Sequence, residues 1–185
     1  NEHSNRIAHF SSTRIGGQSS GSYASFNLGE YTLDSAASIA ANRQLLALEL
    51  GISTHQIYSA HQVHEKSVKL IDTQLIQYSA KERKNALQGY DALICSTPGC
   101  CITVTTADCV PVLLYDPIQK AVAAIHSGWK STLLNIVQET IQKMTLHFGT
   151  NATNLIVAIG PCISKAVYEV GEDVYSNFIK KGVDT

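Results

Sequence analysis

The sequence predicts an α/β fold, a layered sandwich of mixed β-sheets flanked by helices, and three observations support this. Short apolar runs of strand length alternate with longer amphipathic stretches of helix length. Strands and helices follow one another in mixed order, without an internal repeat or a linker. The 185 residues suffice for one sizeable core and are few for two, so we expect a single domain over residues 1–185.

The N-terminal part is predicted to be a turn-rich segment followed by a helix. Glycine, serine and asparagine are frequent in residues 10–29, and they favour turns between short strands and a binding loop. Asp34 or Ser35 can cap a helix that runs to about Leu50, because Gly51 stands at the usual C-terminal stop.

The remainder of the chain alternates predicted strands with two further helices. Apolar residues spaced by threes and fours predict a long helix over 131–148, which Gly149 ends, and a final helix is predicted over 170–181. Strands are predicted at 56–58, 67–71, 91–95, 101–105, 110–115, 121–125 and 154–159.

Composition and charge limit the class of ligand. With 14 basic and 15 acidic side chains the net charge is −1, so we expect neither nucleic acid nor an anionic membrane as a partner. No apolar run approaches the roughly 20 residues that span a bilayer, and the polar start lacks the pattern of a signal peptide. Five clustered cysteines, an odd number, do not suggest a disulfide framework. These features predict a cytoplasmic protein with a small-molecule ligand.

Three positions at strand ends combine the side chains that bind metals or act as nucleophiles. They are the His61/His64 pair, Cys109 and His126. Side chains at strand ends project into the crevice where loops converge, so these residues can meet although they lie far apart in the chain. Two imidazoles and one thiolate form a ligand set of catalytic zinc, which leaves the fourth tetrahedral position open. Spacing cannot choose between His61 and His64, because in an extended segment they face opposite sides.

Each of these residues also has an ordinary structural interpretation. A histidine at a strand end is more often hydrogen-bonded or at the surface than bound to metal. Cys109 alone is more often a small buried apolar residue than a reactive thiol. From the residues alone, the sequence therefore indicates only a possible Cys/His site.

Several motifs together resemble a known family. The segments TADCVPVLLYDP at 106–117 and AAIHSGWK at 123–130 closely resemble the YfiH/YlmD family of laccase-domain proteins, once described as polyphenol oxidases and now as zinc purine nucleoside phosphorylases. Nearly the whole chain takes part, since other matching motifs occur in the expected order. They are FSSTRIGG at 10–17, YASFNLG at 23–29, NR at 42–43, QVH at 62–64, DA at 91–92, GP at 160–161 and YEVG at 168–171.

The resemblance implies a metal site, a fold and an activity. The family's ligands correspond to His64, Cys109 and His126, which favours His64 over His61 and implies one zinc per chain, with copper less suited. The implied fold is an α/β sandwich like that of cysteine hydrolases. The implied activities are phosphorolysis of adenosine, inosine, guanosine and methylthioadenosine, and deamination of adenosine. Zinc suits deamination, because it lowers the pKa of water that it binds to about 7.

Phosphorolysis requires a further pocket for phosphate, with cationic or N–H donors. Arg14 is our candidate for that catalytic and substrate-binding role, and Asn27 and Arg43 are further candidates. For Arg43, a structural salt bridge is the stronger alternative. Asp108 is expected next to the metal and the substrate, or else as a turn cap.

The chain departs from the family pattern at two places. Glu65 replaces the glycine that commonly follows the QVH motif, and Lys130-Ser131 stands where Arg-Gly is usual. A side chain at 65 is expected to narrow the pocket or reshape its backbone, and lysine cannot reproduce a bidentate guanidinium contact. Family members usually continue for several tens of residues, so we expect the domain to lack a C-terminal portion here.

Three other functions remain as alternatives. Cys109 with His126 as its base would make a cysteine hydrolase or amidase acting on peptidoglycan precursors, and this chemistry needs no metal. A polyphenol oxidase of the multicopper type needs about ten histidines in His-x-His pairs, whereas the chain has 7 histidines and no such pair. A noncatalytic nucleoside-binding module is the third alternative.

Overall fold

A five-stranded sheet forms the centre of the fold in the computed structural model, which describes residues 7–183. The strands of the described residues are β1 (Ile57–Ser59), β2 (Val68–Leu70), β3 (Ala92–Cys95), β4 (Cys101–Thr103), β5 (Val110–Asp116), β6 (Ala121–Ser127) and β7 (Ile156–Ile159). The strand order of the central sheet is β2-β3-β6-β5-β7, with β2 and β3 parallel and all other neighbours antiparallel. A separate parallel pair consists of β1 and β4.

Six α-helices of the described residues flank these strands. They are α1 (Ala36–Leu50), α2 (Thr73–Ile76), α3 (Ala80–Ala86), α4 (Trp129–Leu133), α5 (Ile136–Phe148) and α6 (Glu172–Lys180). The ends of α1 follow the sequence signals, because the Ser35 hydroxyl accepts a hydrogen bond from the Ser38 amide and Gly51 ends the helix in the left-handed conformation, with φ 64°. The predicted mixed α/β fold with flanking helices is confirmed.

Three details of the prediction are wrong. The helix expected over 131–148 is two helices, because Asn135 adopts a left-handed φ of 59° between α4 and α5, a conformation that asparagine tolerates. The prediction missed α2 and α3, although Ser79 and Glu82 form a capping box at α3. Among the described residues no strand precedes Ile57, so residues 10–29 form turns and one 3₁₀ turn without the expected short strands.

The two faces of the sheet pack against different partners. In β3, Ala92 and Ile94 face α5 and its Met144, whereas Leu93 and Cys95 face a second core that contains Tyr58 of β1. The four β3 residues are at most 1% exposed, because a strand covered on both faces must be apolar on both. The sheet is therefore the middle layer of a sandwich, as the alternation of its side chains requires.

One edge of the sheet is only partly covered. Strand β7 pairs with β5 on one side and is an edge strand of the sheet. Its Ile156, Val157 and Ile159 are exposed by 43%, 53% and 70%. Helix α6 contributes no buried residue, and Tyr175 and Ile179 on it are also exposed.

Strand pairing brings the distant motifs to one end of the sheet. His126 lies near the end of β6 and Cys109 immediately precedes β5. Because these strands are antiparallel, Val110 pairs with Ser127 and Pro111 with His126, so the start of β5 lies beside the end of β6. The loop after β1 carries His61 and His64 to the same end.

Candidate metal centre

His64, Cys109 and His126 converge at this end of the sheet. Their ligand atoms all lie within 4.8 Å of one another, and His64 Nε2 is 3.9 Å from Cys109 Sγ. The His64 and His126 rings meet edge to face with centroids 4.7 Å apart. His126 is 3% exposed and forms the floor, whereas His64 is exposed. The group is therefore a candidate metal site that is open on one side.

The donor set and its spacing fit a tetrahedral metal ion. Zinc binds thiolate at about 2.3 Å and imidazole nitrogen at about 2.0 to 2.1 Å, which places neighbouring S and N ligands about 3.5 Å apart. The 3.9 Å separation between His64 and Cys109 is close to that value. Three protein ligands with an open side match catalytic zinc sites, whereas structural zinc sites have four protein ligands.

The Asp91 side chain contacts two of the three candidate ligands, His64 through its backbone amide and His126 through its ring. Its buried carboxylate lies 2.8 Å from His126 Nδ1 through Oδ1. The same carboxylate accepts hydrogen bonds from the amides of Val63, His64 and Glu65, at 3.1, 2.9 and 2.9 Å. Burial raises the pKa of Asp91, but the hydrogen bonds from His126 and the three amides outweigh it and hold the pKa below its ordinary value.

This carboxylate fixes which nitrogen of His126 is available. An ionised carboxylate only accepts hydrogen bonds, so Nδ1 of His126 is the donor in its contact with Asp91. Nε2 is then the ring nitrogen that Asp91 does not engage and that is left to bind a metal, as in the carboxylate–histidine arrangements of zinc sites. Asp91 also supports His64, whose φ of 60° lies in the left-handed region that is costly for histidine.

The Gln62 side chain links the segment of His64 to the segment that leads to Cys109, the third candidate ligand. Its amide nitrogen donates to the Thr105 carbonyl at 2.7 Å, and its amide oxygen accepts from the Thr105 amide at 2.8 Å. This side chain thus imitates a pair of strand hydrogen bonds between the segment of His64 and the segment of Cys109. The three ligand segments are connected by two side chains that are not ligands themselves.

Gly128 lies so close to the His64 and Cys109 side chains that a side chain at this position would collide with them. A Cβ atom at this position would lie 2.8 Å from His64 Cδ2 and 3.2 Å from Cys109 Sγ. Glycine is therefore required for the close approach of β6 to the other two ligands.

The two departures from the family pattern contact each other. Lys130 Nζ bonds Glu65 Oε1 and forms an ion pair with it. Both side chains are nearly half exposed, and neither residue lines the cavity beside the metal group. Glu65 is not among the described non-glycine residues with positive φ, so a side chain there costs no left-handed strain. The pair connects the His64 loop to α4 and does not narrow the cavity.

The metal group opens into a cavity of about 270 Å³, close to the lower end of small-molecule sites at about 300 Å³. Besides the three ligands, its wall contains residues from the loop before α1, the end of β1 and the loop after β4. They are Gly29, Glu30, Tyr31, Thr32, Ser59, Ala60, His61, Gln62, Thr105 and Ala107.

None of the four predicted substrate residues, Arg14, Asn27, Arg43 and Asp108, is among the residues that line this cavity. Arg14 is exposed, and its Nε donates to the Ala24 carbonyl at 2.7 Å. Asn27 donates to Thr32 and Asp34 at 3.0 and 2.9 Å, and so shapes the turn that borders the cavity. Asp108 is exposed, and its backbone has a positive φ of 83°.

Arg43 lies behind the cavity wall. Its guanidinium donates to Ser59 Oγ and to the Ile57 carbonyl, both at 3.0 Å, and lies 3.4 Å from Glu30 Oε2. Arg43 is 7% exposed, and these contacts match the structural interpretation considered for it. The roles of Arg14, Asn27, Arg43 and Asp108 toward a substrate stay predictions.

Sequence reasoning assigned no role to Asp91 or to the Gln62 side chain. Both stand inside motifs, DA at 91–92 and QVH at 62–64, but apart from the His126 ring beside Asp91 their partners described above are backbone groups of distant segments. The available signal was an aspartate immediately before a wholly apolar strand, because a carboxylate buried there requires several hydrogen-bond donors.

The comparisons with known proteins agree with this geometry. The family described as "Multi-copper polyphenol oxidoreductase laccase" matches residues 8–185. The chain belongs to this family. It is 43% identical over 96% of its length to the purine nucleoside phosphorylase of Bacteroides thetaiotaomicron, of which it covers 66%. It is 33% identical over 92% of its length to adenosine deaminase RL5 of an unknown prokaryotic organism, of which it covers 65%.

A solved structure of the laccase-like family has the same fold. The crystal structure of the Bacillus licheniformis hypothetical protein YfiH superposes with a TM-score of 0.82 at 29% identity, covering 90% of this chain and 62% of that one. The expected YfiH/YlmD resemblance is thereby confirmed. The chain spans slightly less than two thirds of the length of these relatives. In its described part, no helix has both the length and the apolar character needed to cross a bilayer.

Proposed function

We propose that this protein is a zinc-dependent purine nucleoside phosphorylase that also deaminates adenosine. The observation that supports it most is the His64, Cys109 and His126 group, which opens into a cavity of small-molecule size. Relatives named purine nucleoside phosphorylase and adenosine deaminase support the substrate class. We further propose a cytoplasmic location, in keeping with five free thiols.

In this proposal, the three ligands would hold one zinc, and Asp91 engages Nδ1 of His126 so that Nε2 is left for the metal. Zinc supplies Lewis-acid chemistry, which polarises a substrate oxygen and makes water a stronger acid, with a pKa of about 7. Gln62 and Asp91 keep the ligand segments in place and leave the open side toward the cavity. Arg14 is our candidate for binding phosphate, with its guanidinium oriented by the Ala24 carbonyl.

The alternative of a metal-free cysteine hydrolase is less well supported. A nucleophilic cysteine needs a lowered pKa, whereas burial, followed by the charges of Asp108 and Asp91, raises the pKa of Cys109. Metal binding would instead stabilise the thiolate, because a coordinating thiol is deprotonated. The multicopper alternative needs several copper sites, and in residues 7–183 the His/Cys groups provide this one set of three ligands.

The test combines metal analysis with product detection. The purified chain is expected to contain one zinc, to release adenine from adenosine only with phosphate, and to form inosine without it. Both products should disappear after chelation and return with zinc. His64→Ala is expected to abolish both activities, whereas His147→Ala, a matched change at an exposed histidine on α5, should retain them. Full activity in a metal-free sample would refute the proposal.

A further inference from the structure

Tyr31 and His61 form a stacked aromatic pair in the cavity wall. Their ring centroids are 4.7 Å apart and their planes differ by 30°. Both residues line the cavity that also contains the three metal ligands. They come from different segments, the loop before α1 and the loop after β1, so their stacking is a tertiary contact. A flat aromatic surface is thus part of the site.

Hydrogen bonds fix the two backbone segments that carry the rings. On one side, Asn27 Oδ1 accepts from the Gly29 amide at 3.0 Å and Asn27 Nδ2 donates to Thr32 Oγ1 at 3.0 Å, which closes the turn around Tyr31. On the other side, the His61 amide donates to the Leu87 carbonyl at 2.9 Å, and its carbonyl accepts from the Gly89 amide at 3.0 Å. Such a wall is preorganised, so a ligand that stacks on it loses little binding energy to ordering it.

The surroundings of the pair suit a flat neutral ring. His61 stacks on the Tyr31 ring, and the Lys84 ammonium also lies over that ring, 5.7 Å from its centroid. These contacts leave the face of His61 away from Tyr31 for a further ring. Burial, and then the neighbouring Glu30, raise the pKa of Tyr31 despite Arg43, so the phenol stays protonated at neutral pH and brings no negative charge behind His61.

We propose that the purine base stacks on His61, on the ring face away from Tyr31, at the same cavity as the metal group. This inference rests on the proposed function and adds to it the place where the base is held. Stacking tolerates different bases, because every base has a π face. A site that holds the base in this way accepts adenine, hypoxanthine and guanine alike, and selects against nucleosides with a smaller single ring, since these offer less stacking surface.

The experiment measures steady-state kinetics of inosine phosphorolysis with the zinc-loaded full chain. His61→Ala is expected to raise KM for inosine about tenfold or more, which is within the range of base stacking on an aromatic side chain, and Tyr31→Ala, which removes the ring behind His61, is expected to raise it less. KM for phosphate and the zinc content should not change. Tyr31→Phe, which keeps the ring, should show a smaller rise than Tyr31→Leu, which keeps apolar volume without a π face. Tyr175→Ala, at an exposed tyrosine on α6, is the matched control.

The outcomes separate the inference from the proposed function. Wild-type turnover together with an unchanged KM for inosine in both alanine variants would overturn the stacking wall and leave the function intact. An equal rise in KM for inosine and for phosphate would also overturn it, because a general loss of structure raises both. If the wild-type protein neither binds purine nucleosides in equilibrium dialysis nor turns them over, the proposed function itself fails.

Discussion

Replacing Asp91 by asparagine tests whether the metal site depends on a residue that binds no metal. The carboxylate accepts four hydrogen bonds, two at each oxygen, from His126 Nδ1 and three backbone amides. An amide group keeps one oxygen and presents N–H donors at the other position, so two of the four donors lose their acceptor. Each unsatisfied donor costs about 1 to 3 kcal/mol, which gives a loss of about 2 to 6 kcal/mol before relaxation.

The loss should appear both in metal affinity and in stability. Changes in residues that orient metal ligands typically lower metal affinity about 10- to 100-fold, and we expect Asp91→Asn to fall in this range. A competition titration with a chromogenic chelator measures the affinity, and urea unfolding measures the stability. Asp72→Asn is the matched control, because Asp72 caps α2 with one hydrogen bond to the Leu75 amide at 2.8 Å, and asparagine caps a helix as well as aspartate.

The pH dependence gives a second check on the same residue. Because the native pKa of Asp91 is lowered, its contribution to stability is complete above the unfolded pKa of about 3.9 and is lost as the pH falls through the native value. The stability difference between the wild type and Asp91→Asn should therefore be constant from about pH 5 to 8 and narrow below about pH 3.9. A folded Asp91→Asn with wild-type metal affinity would refute the reasoning.

Other changes test the framework and the core separately. Gln62→Ala should lower metal affinity about tenfold or less by releasing Thr105 from two hydrogen bonds; unchanged affinity in the chelator titration would contradict this. Gly128→Ala should lower it more strongly, because the new Cβ would lie 2.8 Å from His64 Cδ2, and normal zinc content would count against that clash. Met144→Ala removes a side chain that is 0% exposed and should cost about 2 to 5 kcal/mol in urea unfolding, with metal affinity retained; a loss below 1 kcal/mol would argue against the packing described.

The elements that the sequence predicted well are those whose signals are local. Ser35 and Gly51 mark the ends of α1, and the apolar alternation of β3 follows from its two covered faces. The break at Asn135 escaped prediction because the apolar spacing continues across it, from α4 into α5. The chain leaves the helix only at Leu134 and Asn135, and asparagine is compatible with both helical and left-handed backbone.

The convergence of His64, Cys109 and His126 was predictable from the sequence, whereas the residues that support this candidate site were not. The ambiguity between His61 and His64 could not be resolved by spacing, because it depends on the left-handed backbone at His64, which sequence periodicity does not report. Apart from the contact of Asp91 with His126, Asp91 and Gln62 bond backbone amides and carbonyls of distant segments, and nearly every residue has such groups. No pattern of side chains therefore distinguishes their partners, and the contacts appear only when the fold brings the segments together.

The partly covered edge at β7 affects how the protein behaves in concentrated solution. An edge strand presents unpaired N–H and C=O groups, which form a template for pairing with another strand. In β7 these groups accompany exposed Ile156, Val157 and Ile159, and β7 lacks the lysine or proline that often protects natural edges. Self-association should consequently increase with protein concentration and persist at high salt, since its source is apolar contact and backbone pairing. Any strand that pairs along this edge would suppress it and improve solubility.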